Sequence, residues 1–247
     1  MDEQKANAII EVKNLTMAFG GLVAFQRVSL GIYQGEILGL IGPNGAGKTT
    51  LINCITGVYR PTTGDVLFNG RSLVKMRPHQ ICRLGIGRTF QIPRPFMYMS
   101  VLENLKVCAQ HGHADFKWLL DVTDLWDKRN RLAKTLTFQE RRLLELSRAL
   151  AVEPKLLLLD ESVAGLNPAE TEHMMKVLRR IHDELKISIL WIEHVMKAIM
   201  ENAHRIAVLH QGSLIANDTP KRIANNPKVI EAYLGEEYLF EGDERKC

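Results

Sequence analysis

A glycine-rich octapeptide that follows an apolar run constrains this chain more than any other feature. The run Ile37–Ile41 is typical of a buried strand, and residues 42–49 then match the pattern G-x-x-x-x-G-K-[ST]. Glycines at these spacings allow backbone conformations that other residues disfavour, so amide N–H groups can close around phosphate oxygens. A helix predicted over residues 48–56 would direct its positive dipole end at the same phosphates. The sequence therefore predicts a site for ATP or GTP rather than an incidental glycine-rich turn.

The residue types in the octapeptide suit the different parts of a nucleoside triphosphate. Lys48 places a positive charge against the β- and γ-phosphates, and the Thr49 hydroxyl is a ligand for Mg²⁺. Asp160 ends the continuous apolar run 155–160 and is the second predicted Mg²⁺ ligand. The predicted contacts with the nucleotide come from Gly42, Pro43, Asn44, Gly45, Ala46, Gly47, Lys48, Thr49 and Thr50.

Length and composition limit the classes of protein to which this chain can belong. The 247 residues are 46% hydrophobic, enough to bury a core as one domain or as a domain with a subdomain. No apolar run approaches the roughly 18 to 20 residues that cross a bilayer, and residues 1–7 lack the apolar stretch of a secretory signal, so we expect a soluble intracellular protein. The four scattered cysteines favour reduced thiols, and a net charge of +4 without a basic run argues against nucleic acid as a partner.

Hydrophobic periodicity predicts alternating strands and helices. An amphipathic helix from Leu136 begins with a capping box formed by Thr137 and Glu140. His111 and His113 lack a third ligand nearby, which favours a surface loop over a metal site. The other predicted elements are strands at 9–15, 28–33, 65–70, 85–91, 155–160 and 188–193, a helical segment over 100–130 and a hairpin over 205–216.

Three polar residues stand at the carboxyl ends of predicted strands, where the ligand sites of α/β proteins lie. Glu161 directly follows Asp160, and a second carboxylate there suits a base that orients or deprotonates the attacking water. Gln91 sits where a strand gives way to a proline-bearing loop. His194 ends another buried strand and is a candidate for contact with the γ-phosphate.

The order of these motifs resembles the ATP-binding subunit of ATP-binding cassette (ABC) transporters over roughly residues 9–235. The phrases Phe-Gly-Gly-Leu-Val-Ala24, Gly-Arg-Thr-Phe-Gln91, Val-Leu-Glu-Asn104 and Ala-Gly-Leu-Asn-Pro168 are similar to the branched-chain amino acid uptake subfamily. The resemblance implies an α/β P-loop NTPase cassette with a mixed central sheet and an antiparallel β subdomain. A short helical subdomain would span about 95–152, within a single domain over 1–247 that ends in a tail at about 236–247.

The resemblance also implies what individual residues do. Phe19, whose pattern alone favours a place in the core, would stack on adenine. Lys48, Gln91, Glu161 and His194 would be catalytic, and Gln91 would also contact Mg²⁺. The loop 91–100 would form part of a groove that receives a permease.

The implied assembly contains two ATP-binding subunits, identical or homologous, on the cytoplasmic face of the cell membrane. They would pack head to tail beneath two permeases, with an external binding protein delivering the substrate. Each ATP would lie between one subunit's phosphate loop and the other's signature segment, which in this chain is Thr137, Phe138, Gln139 and Glu140. ATP hydrolysis would then drive import.

Two positions depart from the family pattern. The segment Leu-Thr-Phe-Gln-Glu140 stands where Leu-Ser-Gly-Gly-Gln is usual, so Gln139 replaces the second glycine and either crowds the opposing ATP or donates to it. Ser162 replaces a proline, which is a milder change because serine adopts most turn conformations. The altered segment suggests the hypothesis that this chain works with a non-identical partner.

Three other functions compete with amino-acid import. They are an export cassette of the lipopolysaccharide type, a non-transport cassette ATPase acting on translation or DNA repair, and a small-molecule kinase. A non-transport cassette ATPase usually has two cassettes or a long coiled-coil insertion, and this sequence shows neither. A small-molecule kinase would need neither a signature helix nor Glu161.

Overall fold

The computed structural model describes residues 8–109 and 114–233, and its strands form two sheets. The strands are β1 (Ala8–Phe19), β2 (Leu22–Tyr33), β3 (Ile37–Ile41), β4 (Thr63–Phe68), β5 (Arg71–Ser72), β6 (Ile86–Arg88), β7 (Leu156–Asp160), β8 (Ser188–Ile192), β9 (Arg205–His210) and β10 (Ser213–Asp218). An antiparallel sheet has the order β2-β1-β4-β5, and a six-stranded sheet has the order β10-β9-β3-β8-β7-β6. In the larger sheet only β10 runs antiparallel to its neighbour, so this sheet is mixed.

Helices cover the central sheet and build a separate layer beside it. They are α1 (Lys48–Ile55), α2 (Pro78–Arg83), α3 (Val101–Cys108), α4 (Phe116–Val122), α5 (Phe138–Leu150), α6 (Pro168–Leu185), α7 (Met196–Asn202) and α8 (Pro220–Ala224), with a further helical stretch at 227–233. Short 3-10 helices at Trp126–Lys128 and Ala133–Thr135 join α4 to α5. Across the described ranges 8–109 and 114–233, every helix is too short or too polar to cross a membrane.

The central strands are buried on both faces, which explains their unbroken apolar sequences. In β7, Leu157 and Leu159 pack into a core shared with α3 to α7. Leu156 and Leu158, on the opposite face, pack into a second core shared with α1 and the antiparallel sheet. The sheet is therefore a common wall between two cores.

Most predicted elements are confirmed, and the differences have local causes. Phe19 was expected beyond the first strand, but β1 extends to Phe19 and pairs it with Leu22 across the hairpin. The predicted strand over 85–91 ends at Arg88, because β7 pairs with β6 only as far as Leu158. The helical segment predicted over 100–130 is broken into α3, α4 and a 3-10 helix. The proposed surface histidines, 111 and 113, and the tail 236–247 lie outside the described residues.

Candidate functional site

The phosphate loop has a backbone that glycine alone can adopt without strain. Gly42, Gly45 and Gly47 have φ angles of 148°, 76° and 102°. A Cβ on Gly42 would lie 2.0 Å from the Leu209 carbonyl oxygen, so the loop lies directly against β9. The Lys48 ammonium, at the start of α1, donates to the carbonyl oxygens of Gly42 (2.6 Å) and Pro43 (2.8 Å). These glycine conformations and the Lys48 ammonium at the start of α1 fit a triphosphate, because the loop can direct N–H groups and one positive charge at phosphate oxygens.

A cleft of about 310 Å³ joins the phosphate loop to a small apolar wall. Phe19, Leu22 and Val23 form this wall at one end, and Glu161 and His194 line the other end. The Phe19 ring is 42% exposed and meets the Tyr59 ring edge-on at a centroid distance of 5.2 Å. Sequence reasoning missed Leu22 and Val23, although both flank Phe19 in one hairpin. An exposed ring beside apolar side chains suits a flat heterocycle.

Glu161 brings together three of the predicted catalytic residues. One of its carboxylate oxygens, Oε2, accepts a hydrogen bond from Gln91 Nε2 at 2.5 Å. The other, Oε1, lies 2.8 Å from Nε2 of His194. Glu161 itself has a left-handed backbone with φ of 52°, which turns the chain sharply after β7. Residues from three separate segments thus converge on one carboxylate beside the phosphate loop.

Asp160 faces the start of α1. Its Oδ1 accepts from the Thr49 hydroxyl at 3.5 Å, and its Oδ2 lies 3.3 Å from the Arg88 guanidinium. Burial raises the pKa of Asp160, and the charge of Arg88 opposes that rise. The hydroxyl and carboxylate oxygens are hard donors of the kind that Mg²⁺ takes. Sequence reasoning missed Arg88, for which a charge inside the short apolar strand β6 was the available signal.

A buried polar network supports the loop that follows Glu161. The Glu193 carboxylate, which is 1% exposed, accepts from the Val163 amide (2.8 Å) and the Ser162 hydroxyl (3.3 Å). Trp191 Nε1 donates to the Ser162 oxygen at 3.0 Å. Burial raises the pKa of Glu193. Ser162 therefore supplies hydrogen bonds that a proline ring could not, beyond the simple turn residue that the sequence suggested.

The signature segment forms the first turn of α5, away from the residues that line the cleft. Thr137 caps the helix as predicted, because its Oγ1 accepts from the Glu140 amide (3.3 Å) and its own amide donates to the Glu140 carboxylate (2.8 Å). The Phe138 ring is 47% exposed and covers the Arg142 guanidinium at 5.0 Å. The Gln139 amide lies 3.1 Å from Nδ1 of His173 on α6.

Arg142 connects α5 to the loop that carries Glu161. Its buried guanidinium donates to the carbonyl oxygens of Glu161 and Ala164, both at 2.8 Å. Sequence reasoning did not find this contact, because nothing in the local spacing indicates which carbonyl groups an arginine will reach. The helix α5 and the loop that follows β7 are thus joined within one chain.

Comparison with known proteins agrees with this arrangement. Residues 25–164 match the ABC transporter family, and residues 213–238 match the branched-chain amino acid ATP-binding cassette transporter family. The chain is 40% identical to the high-affinity branched-chain amino acid transport ATP-binding protein BraF of Pseudomonas aeruginosa and 43% identical to LivG of Escherichia coli. Each comparison covers 92% of this chain and 98% of the relative.

A solved structure has the same fold as this chain. The crystal structure of the ADP conformation of an ATP-binding cassette of an ABC transporter superposes with a TM-score of 0.83 at 30% identity. That superposition covers 92% of this chain and 99% of the other. The phosphate loop, the Glu161 cluster, the fold and the similarity to relatives along most of the sequence lead to one conclusion: this chain belongs to the ABC transporter family, as one of its ATP-binding cassettes.

Proposed function

We propose that this chain is the ATP-hydrolysing subunit of a complex that imports branched-chain or related amino acids. The observation that carries the ATPase part is the meeting of Gln91 and His194 on Glu161, at the edge of the phosphate-loop cleft. The substrate class is supported by the relatives named above, which are transport proteins for branched-chain amino acids. An export or non-transport role has no comparable support.

The residues divide the work of hydrolysis. Phe19 stacks on the adenine. The backbone N–H groups of the phosphate loop, which Pro43 lacks, donate hydrogen bonds to the phosphates, and the Lys48 ammonium offsets their charge. Thr49, Asp160 and Gln91 would supply oxygen ligands for Mg²⁺, which would offset the charge of the phosphates. Glu161 orients and deprotonates the attacking water, with His194 placed to contact the γ-phosphate.

The partners of this subunit lie on two surfaces. A second ATP-binding subunit, identical or homologous, presents its phosphate loop to the first turn of α5, whose dipole favours an anion. The permease binds the loop 91–100, where Ile92, Phe96 and Tyr98 expose apolar surface and Met97 and Met99 are half-buried. This binding places the subunit on the cytoplasmic face of the membrane, with the external binding protein reached only through the permease.

The permease-binding loop is held in a defined shape. Buried Asn104 accepts from the Phe96 amide (2.8 Å) and donates to its carbonyl oxygen (3.1 Å). Arg148 of α5 donates to the Arg94 carbonyl oxygen at 2.9 Å. A loop that exposes apolar side chains on a fixed backbone is suited to docking.

The test is ATP hydrolysis by the purified subunit and by Glu161→Gln, with light scattering to follow the oligomeric state. We expect the substitution to lower kcat by about 10²-fold or more, because the base for water is lost. The variant should still bind ATP and should accumulate an ATP-dependent dimer, whereas EDTA should stop hydrolysis by wild type. Glu201→Gln, on the exposed end of α7, is the matched control. Equal hydrolysis by wild type and Glu161→Gln would disprove the proposal.

A further inference from the structure

Gln139, the residue that replaces a signature glycine, contacts His173 on α6, and His173 in turn contacts Asp124. Nε2 of Gln139 lies 3.1 Å from Nδ1 of His173, in the second turn of α6. Nε2 of His173 in turn lies 2.8 Å from Oδ2 of Asp124, in the left-handed turn that follows α4. The contact therefore joins the signature helix, α6 and the helical subdomain through one imidazole.

The hydrogen-bond donors and acceptors match along this series of contacts. A carboxylate only accepts hydrogen bonds, so Nε2 of His173 carries the proton and donates a hydrogen bond to Asp124. That tautomer leaves Nδ1 of His173 as an acceptor, which matches the Gln139 amide N–H group. Asp124 thus fixes the ring in the form that can bind Gln139.

The neighbouring side chains of the first turn are also turned aside. Phe138 covers Arg142, and the Glu140 carboxylate pairs with Lys128 as well as with the Thr137 amide. The first N–H groups of a helix have no intrahelical partner. Thr137 already takes up the Glu140 N–H group. Holding the side chains of 138–140 against their own subunit keeps the space in front of the remaining first-turn N–H groups clear.

We propose that His173 and Asp124 are positioning residues that hold Gln139 against α6 and so keep the N-terminus of α5 open to the nucleotide of a second subunit. The inference rests on the proposed function, because it assumes that α5 meets nucleotide bound elsewhere. The glutamine occupies the place of the missing glycine without filling the space in front of the helix. If so, the altered signature does not by itself demand a non-identical partner.

The test is a double-mutant cycle in the full chain with wild type, His173→Ala, Gln139→Ala and the double variant. Alanine at 139 removes the long side chain and keeps the helix. We expect His173→Ala to lower kcat and ATP-driven dimerisation about three- to tenfold, roughly the effect of one lost hydrogen bond. In the Gln139→Ala background the same substitution should change both by less than about twofold, since nothing remains to be held.

Further variants separate positioning from simple support of α6. His173→Gln keeps one donor and one acceptor and should restore most of the activity. Asp124→Ala should act like His173→Ala, whereas Asp121→Ala, at another exposed aspartate of the same region, should not. ATP affinity of the isolated subunit should stay constant throughout, because neither His173 nor Asp124 lines the cleft.

The possible outcomes distinguish this inference from the proposed function. Equal losses from His173→Ala in both backgrounds would overturn it and reduce His173 to a support for α6. No loss in either background would overturn it as well, with the ATPase role intact. If all four proteins bound ATP but neither hydrolysed it nor dimerised, the proposed function would fail and the inference with it.

Discussion

Glu193 is buried beside the loop that carries Glu161, and its ionisation sets a pH-dependent cost for the folded state. Burial raises its pKa, and the hydrogen bonds from Val163 and Trp191 oppose this rise only in part. The folded chain therefore holds the Glu193 proton more tightly than the unfolded chain does. The contribution of this group to stability is complete below the unfolded pKa of about 4.3 and is lost as pH rises through the folded value.

This sign leads to a prediction for Glu193→Gln, which cannot ionise. The free energy of unfolding of the variant minus that of wild type should increase as pH rises from about 4.3 toward neutrality. Urea unfolding at a series of pH values measures this difference. Glu201→Gln, at a surface position, should give a flat difference. A difference that fell with rising pH would mean that the folded state favours the Glu193 carboxylate.

At the scale of single residues, the sequence indicated the groups that belong to a contiguous motif. The proximity of the phosphate loop, Asp160 and Glu161 could be predicted because local spacing defines the geometry of a contiguous motif. Residues 44–50 and Glu161 line one cleft, and Asp160 contacts Thr49. Arg88 and Glu193 could not be predicted, because a buried charge is explained only by partners distant in sequence. Their roles depend on Asp160 and on the 162–163 backbone, which pairing of strands brings near.

At the scale of elements, α5 carries contacts with several parts of the site. Arg142 in its second turn holds the Glu161 loop, while Arg148 further along holds the loop 91–100. Because one helix makes both contacts, a movement of its N-terminus would displace the Glu161 loop and the loop 91–100 together. The helix thus links the loop that follows β7 to the loop 91–100, for which we propose permease binding.

Arg142→Ala tests this role of α5. We expect the free energy of unfolding to fall by roughly 2–4 kcal/mol, because two half-buried carbonyl groups lose a charged donor. We expect kcat to fall about tenfold or more, because the backbone at Glu161 is no longer fixed. Denaturant unfolding and steady-state hydrolysis measure the two effects.

Arg141→Ala, at the preceding residue, is the matched control. Arg141 also donates to backbone carbonyl groups, but these belong to Lys134 and Leu136, away from the catalytic loop. It should lower stability without a comparable change in kcat. Equal losses of kcat in both variants would show that activity depends only on the stability of α5. That result would contradict a specific role for Arg142.

Elements with complete local signals were predictable, and those set by pairing were not. The capping box at Thr137 and Glu140 located the start of α5, since its hydrogen bonds span only three residues. The end of β6 at Arg88 depends on how far β7 accompanies it, which no local pattern encodes. The breaks between α3, α4 and the 3-10 helices likewise depend on packing against α5 and α6.

At the scale of the whole molecule, the two cores share the central sheet and should unfold together. Leu120 of the helical subdomain lies in the core that includes α6, and Leu51 of α1 lies in the core on the opposite face. Both side chains are fully buried. The prediction of one domain with a helical subdomain implies a single transition in spite of the two cores.

Calorimetry of Leu120→Ala and Leu51→Ala measures this cooperativity. Each substitution should lower the free energy of unfolding by about 2–5 kcal/mol and shift one common transition. Thr62→Ala, at an exposed residue between α1 and β4, removes one hydrogen bond to the Ala18 amide and should shift the transition far less. A separate early transition in Leu120→Ala alone would make the helical subdomain an independent folding unit.

The α/β class and the mixed sheet were predictable because the motifs occur in a fixed order along the chain. The spatial arrangement of Gln139, His173 and Asp124 was not, since it joins three elements through side chains with no common pattern.

The left-handed backbone at Glu161 makes this site vulnerable to genetic drift. A glutamate at φ of 52° carries backbone strain of about 1 kcal/mol or more that glycine or asparagine would relieve. In a lineage that no longer used the transporter, replacements of the glutamate would meet little resistance from folding. The proteins encoded by such genes would keep the nucleotide cleft and the fold, and they would still bind ATP. Such a gene would look intact along almost its whole length, and the residue at this one position would be the first to read in deciding whether it still encodes an ATPase.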